Sequence, residues 1–170
     1  MKTIRLVQFL AGAVTAFVAL AAAAGDTSVG LRLGFVGGPC LSAVVAQRVG
    51  PNTVVKVAVG GFPGIILRVQ ANVAMLPEDK ERGFFGTGGI GYNRYYRGQA
   101  DGHGLIELHA GLGHFWRTGG DLLLAPEAGL LYVPTSLSPW VKDIWNKEGK
   151  VGPRLPIVPY AGIDLLREGN

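Results

Sequence analysis

The sequence predicts an all-β fold: a closed, eight-stranded, antiparallel, up-and-down transmembrane β-barrel preceded by an N-terminal signal helix. Three observations point to it. Eight segments alternate apolar and polar residues with a period of two. The polar faces are rich in glycine and nearly balanced in charge rather than lysine-rich. The chain opens with the three parts of an export signal.

The signal comes first. Met1-Lys2-Thr3-Ile4-Arg5 is basic, Leu6 to Ala24 carries no charge, and small residues from Ala21 to Gly25 close the run before Asp26. Basic start, apolar middle and small-residue exit are the anatomy of a secretory signal peptide. Residues 1–24 are therefore read as signal and 25–170 as the barrel domain, with cleavage expected between Ala22 and Gly25. An uncleaved anchor is the competing reading, disfavoured because no basic stop-transfer cluster follows. Removing Lys2 and Arg5 lowers the formal charge from +4 to +2 (4 − 2), and no Lys/Arg run remains to suit a nucleic acid. The single cysteine, Cys40, excludes an internal disulfide and lies too far from the signal for lipid attachment.

Candidate strands cover 28–35, 41–49, 53–62, 64–76, 84–96, 103–116, 121–133 and 155–167, bounded by Gly, Pro, Asn and Asp. A tilted strand crosses a bilayer with about 9–11 residues. In the first segment Val29, Leu31, Leu33 and Phe35 oppose Gly30, Arg32 and Gly34. In the third, Val55, Val57 and Val59 oppose Lys56, Ala58 and Gly60. The fourth sets Ile65, Leu67, Val69, Ala71, Val73 and Met75 against Arg68, Gln70 and Asn72. The sixth sets Ile106, Leu108, Ala110 and Leu112 against Glu107, His109, Gly111 and Gly113. In the eighth, Ile157, Ala161, Ile163 and Leu165 oppose Tyr160, Gly162 and Asp164. The second and seventh are blurred by Val44, Leu123 and Leu131 on the polar side.

Alternation does not say which face is outside. A soluble sandwich or lipocalin-like barrel turns its apolar face inward, and a membrane barrel reverses it. The polar faces favour reversal. Of six lysines only Lys56 lies within a strand. Gly30, Gly34, Gly60, Gly89, Gly91, Gly111, Gly113, Gly129 and Gly162 would weaken an exposed sheet surface but leave room inside a narrow tube. Arg32, Arg48, Lys56 and Arg68 come from the first four segments; Glu107, Glu127 and Asp164 come from the last three. Closing the sheet brings the two sets together, and buried charge demands such pairing. The expected lumen network is Arg32, Arg48, Lys56, Arg68, Glu107, His109, Glu127 and Asp164. Hydrocarbon offers no partner to an open sheet edge, so the sheet closes on itself.

With the N-terminus on the periplasmic side, Phe84, Phe85, Phe115 and Trp116 fall at one rim. Phe35, Phe62, Tyr95, Tyr96, Tyr132 and Tyr160 fall at the other, as aromatic girdles at both interfaces. The long connection 134–154, with Trp140, Ile144 and Trp145, is expected at the outer side. Pro126 and Pro159 interrupt strands and suggest bulges or strand ends.

Residues 26 to 170 resemble the small outer-membrane β-barrel proteins of the OmpA/OmpX/OmpW type. The signal, the eight alternating segments, Gly88-Gly89-Ile90-Gly91-Tyr92 and the closing stretch Val158 to Leu165 carry the resemblance. It implies location in the outer membrane of a two-membrane bacterium, with outer-membrane lipids and the export and barrel-assembly machinery as partners. The chain departs from the pattern at its end, Arg167-Glu168-Gly169-Asn170, where such barrels commonly finish on an aromatic residue.

Chemistry is sparse. His103, His109 and His114 lack metal-ligand spacing, and His109, on the face of Glu107, is read as a lumen hydrogen-bonder. Ser42, Ser136 and Ser138 have no neighbouring histidine to make a nucleophile. Gly86 to Gly91 lacks the Gly-Lys-Ser/Thr of a phosphate loop. The expectation is a non-enzymatic protein without cofactor, in a structural or surface-interaction role. A narrow channel or small-ligand transporter is the alternative, followed by a soluble periplasmic lipocalin-like binding barrel.

Overall fold

A computed structural model of the chain describes residues 27–35, 39–62, 66–76, 82–96, 102–118, 120–134 and 157–168. The expected signal (1–24), residues 135–154 of the long connection and Gly169-Asn170 lie outside the described residues. The strands are β1 (Thr27–Phe35), β2 (Pro39–Arg48), β3 (Thr53–Phe62), β4 (Ile66–Met75), β5 (Arg82–Tyr95), β6 (Gly104–Arg117), β7 (Leu122–Tyr132) and β8 (Ile157–Glu168). Each pairs antiparallel with its sequence neighbour, and β1 pairs with β8 to close the barrel.

The period of two is carried unbroken around the wall, because every register joins residues of one face. Arg32 meets Asp164 across the β1–β8 seam. Lys56 meets Ala46 on one side and Asn72 on the other. The apolar set points out: Leu31, Leu33, Phe35, Ile90, Leu108, Leu112, Leu130 and Leu165 are all exposed. The polar set points in: Glu107 is 1% exposed and Asp164 0%. This is the inverse of a water-soluble barrel, whose greasy side chains fill the centre.

The aromatic expectation needs correction. Phe84 and Trp116 point outward, but Phe85 and Phe115 point into the lumen, each 4% exposed. Tyr160 is also buried inside, and Tyr95 packs on the same internal cluster. Adjacent residues in a strand face opposite sides, so a run such as Phe84-Phe85 divides between girdle and interior. The inward aromatics belong to apolar layers at the two ends of the lumen. Phe85 and Phe115 pack with Ala74 and Ala125 at the end where β1 begins. Tyr160 packs with Leu105, Leu131 and Val133 at the other. The blurred second and seventh segments have the same origin, since Val44, Leu123 and Leu131 supply these layers.

The lumen glycines divide into two kinds. A Cβ on Gly91 would strike the Glu107 side chain, one on Gly111 the Tyr160 hydroxyl, and one on Gly113 the Phe85 ring. These leave room for long groups. At Gly30, Gly60, Gly89 and Gly129 a Cβ would collide with the neighbouring strand's backbone, so they permit close approach where the sheet curls. Gly34 belongs to neither kind, with nothing nearer than 3.8 Å. Pro126 makes no bulge. The β6–β7 ladder skips from Gly113↔Glu127 to Trp116↔Leu124 and resumes in the same register. Pro159 pairs with Leu130 and keeps the β7–β8 register.

A Gly30→Val variant is expected to prevent seam closure, since its Cβ would collide with the Leu165 carbonyl oxygen. Gly34→Ala is expected to fold normally. Refolding into detergent, followed by gel mobility with and without boiling, reads both.

Candidate functional site

The most chemically loaded region is the middle of the lumen. β1, β3, β7 and β8 each place one charged side chain at a common level. Arg32 Nη2 donates to Glu127 Oε1, and Arg32 Nε lies 3.6 Å from Asp164 Oδ1. Lys56 Nζ donates to Glu127 Oε2 and to Asp164 Oδ2, both at 2.8 Å. Two cations and two anions alternate in a ring, each touching both opposite charges. The ring exists because the seam sets β1 beside β8, whereas Lys56 and Glu127 reach across the tube.

A second centre lies nearer the other end. Arg68 Nη2 on β4 donates to Glu107 Oε1 on β6. Asn93 Nδ2 donates to Glu107 Oε2 at 2.6 Å, and Gln70 Nε2 to Glu107 Oε1 at 3.4 Å. His109 Nε2 makes a 2.6 Å hydrogen bond with Asn72 Oδ1, and its ring meets Tyr160 edge to face. Among the described ion pairs three cations meet three anions, so the paired groups balance.

Six of the eight residues expected in the lumen network are joined by ion pairs. His109 sits in the lumen but bonds Asn72 rather than a carboxylate. Arg48 falls outside the network. It ends β2 at the barrel mouth, and its Nη1 donates to the Pro51 carbonyl at 3.0 Å. Position explains the exclusion: Arg48 shares the inward face but lies at the strand terminus, where a long side chain reaches the turn and water. The amides Gln70, Asn72 and Asn93 belong to the site, and the sequence reading gave them no place in the ionic network. Their signal was alternation, since each lies on the face that carries Arg68 or Glu107. Among the described residues, no cluster of His, Cys, Asp and Glu could hold a metal ion.

Such a constellation ties strands together across the lumen. Each carboxylate of the ring faces two cations, Arg32 and Lys56. The same geometry fits a known architecture. The chain superposes on the N-terminal β-barrel domain of Pseudomonas aeruginosa OprF with a TM-score of 0.59, covering 84% of this chain and 97% of that one at 5% identity. The fold is that of the OprF barrel. A structure from the de novo design of transmembrane β-barrels aligns over 85% of this chain and 96% of its own, with 17% identity and a TM-score of 0.49. No protein-family model and no curated protein matches the sequence.

Removing one partner from the ring strands a buried charge, at a cost of about 3–5 kcal/mol. Glu127→Gln is expected to lower unfolding stability by about that much, measured by urea titration in lipid vesicles. Lys56→Met combined with Glu127→Gln is expected to cost less than the sum of the single changes, because contacting charges are non-additive.

Proposed function

We propose that this chain is an outer-membrane barrel with a structural or surface-interaction role, its lumen closed by the ionic ring and its apolar end layers. The observation that carries the reading is the polarity inversion. A belt containing Leu31 at 52% exposure and Leu112 at 71% surrounds an interior where Asp164 is wholly buried. Water gives no reason to expose that belt, and contiguous apolar surface of this extent marks contact with a nonpolar phase. Hydrocarbon rewards the belt and requires the closed hydrogen-bonded wall that the β1–β8 pairing provides. The lipocalin-like alternative needs an apolar centre and is disfavoured for the same reason.

The channel alternative is disfavoured by packing. Beyond the ionic ring the lumen narrows to a void of about 10 Å³ lined by Arg32, Ser42, Arg68 and Tyr160. That is about the space of one water probe. Leu105, Leu131, Val133 and Tyr160 then close the far end. In this reading the partners are outer-membrane lipids, the export pathway and the barrel-assembly machinery, and the protein is not an enzyme.

Membrane fractionation is expected to place the protein with outer-membrane markers, and unboiled samples are expected to migrate as a compact form. Recovery as a detergent-free soluble monomer would overturn the reading. Planar bilayers are expected to show no reproducible conductance steps. Leu31→Arg, near the middle of β1, is expected to lose about 2–4 kcal/mol of stability in vesicles, the range for a cation on the lipid face at the midplane.

A further inference from the structure

The outer wall carries charge of one sign. Among the described strand residues that point outward, the charged ones are Arg82, Arg94 and Arg167, and none is acidic. Arg82 differs from the other two in its surroundings. It opens β5 opposite Trp116 on β6, and Phe84, two residues further in, stands opposite His114. The His114 ring meets Phe84 edge to face with centroids 4.7 Å apart, and Trp116 at 4.3 Å. Three rings and a guanidinium thus form one patch at the rim where β1 begins.

The patch offers donors and has no carboxylate. Among the described residues, no hydrogen bond or ion pair engages the Arg82 guanidinium, the Trp116 indole or the His114 imidazole. His114 Nδ1 is buried, which leaves Nε2 as the accessible nitrogen. Guanidinium and indole N–H groups cannot accept hydrogen bonds. Phosphate oxygens take charge-assisted hydrogen bonds from such donors.

Below the patch the wall is indented. Between the exposed Phe84 and Ile90, β5 turns Gly86 and Gly88 outward. An added Cβ would meet nothing within 4 Å at Gly86, and at Gly88 only the His109 carbonyl oxygen, at 3.7 Å. The barrel's own packing therefore requires neither glycine, and glycine weakens a strand interior. The two positions leave a furrow in the apolar belt, flanked on β6 by the exposed Leu112. Phe84 and Ile90 are six residues apart (90 − 84), about 20 Å of strand at about 3.3 Å each. At a tilt near 40° the furrow descends roughly 15 Å, the depth of one leaflet of a hydrocarbon core ~30 Å thick.

We propose that this strip of β5 and β6 binds one anionic glycerophospholipid. Its headgroup phosphate meets Arg82, the Trp116 N–H and the His114 imidazole, and one acyl chain lies in the Gly86–Gly88 furrow. Donors at the rim and a furrow below them follow the order of a lipid's own parts. Charge complementarity selects the anionic lipid, because a zwitterionic head would bring its ammonium to a patch holding a cation and no carboxylate. The inference rests on the membrane reading above and adds which lipid the wall prefers and where.

The test uses the full mature chain with Trp140→Phe and Trp145→Phe, which leaves Trp116 as the one tryptophan. It is refolded in phosphatidylcholine vesicles in which a small fraction of the lipid is replaced by an acyl-brominated lipid, and quenching of Trp116 fluorescence is read. Brominated phosphatidylglycerol is expected to associate about fivefold more strongly than brominated phosphatidylcholine, the effect of one arginine near an anionic headgroup. Arg82→Gln is expected to make the two lipids equal, whereas Arg94→Gln and Arg167→Gln are expected to keep the preference. Gly86→Leu with Gly88→Leu, which fills the furrow, is expected to lower phosphatidylglycerol association toward that of phosphatidylcholine. If that variant fails to fold, Arg82→Gln decides the question. Equal quenching by the two lipids, in a barrel that still migrates as the compact unboiled form, would overturn the proposal and leave the membrane reading standing. No quenching by either lipid and no compact form would overturn both. Loss of the preference in Arg94→Gln or Arg167→Gln would also overturn the proposal, by reducing the site to general attraction at the rims. Loss of quenching as the protein is crowded in the vesicle would assign the patch to a second copy of the chain, with the same result.

Discussion

The structure depends on neutralising charge where water is absent. Arg32, Lys56 and Arg68 point into a tube too narrow to hydrate them, and each must find a carboxylate there. The desolvation cost of a buried ion is several kcal/mol, so an incomplete set would oppose closure rather than assist it. Glu107, Glu127 and Asp164 complete the set. Once they do, the middle of the outer wall is free to be apolar, and the outward Arg82, Arg94 and Arg167 lie toward the strand ends. The greasy belt and the ionic centre are two results of one sorting, imposed by the strict alternation of the strands.

Much of this was legible in the residues. All eight strands lie close to their expected positions, and Thr53–Phe62 matches to the residue. The face carrying each charge followed from counting by twos, so the direction of Arg32 and Asp164 needed no coordinates. Pairing was harder to read. The sequence says that cations precede anions, but not that Lys56 bridges two carboxylates whereas Arg68 takes one. That depends on how strands lying opposite in the barrel stand at one level, which is set by register summed around the whole ring.

The misplaced residues share a physical cause. Arg48 has the right parity and the wrong depth, because alternation reports direction and not height along the strand. Phe85, Phe115 and Tyr160 were assigned to girdles because aromatics cluster at strand ends, yet their parity already turned them inward. The inward Val44, Leu123 and Leu131 looked like faults in the pattern and are apolar layers at either side of the ionic zone. A lumen that changes polarity along its axis will look irregular to any reading that expects one polarity per face.

The distribution of the ion pairs along the chain has a consequence for assembly. Among the described residues, the lumen ion pairs take their cations from β1, β3 and β4 and their anions from β6, β7 and β8, so the early strands cannot complete these pairs by themselves. A chain emerging from its amino end presents Arg32, Lys56 and Arg68 before Glu107 on β6, and the ring of Arg32 and Lys56 waits for Glu127 and Asp164 on β7 and β8. Contacts separated by 95 and 108 residues must then form almost together, which is the hallmark of slow, concerted folding. A fragment lacking β8 would lose Asp164 along with the closing edge, and the same missing strand would deny the remainder both its electrical balance and its last hydrogen-bonded neighbour.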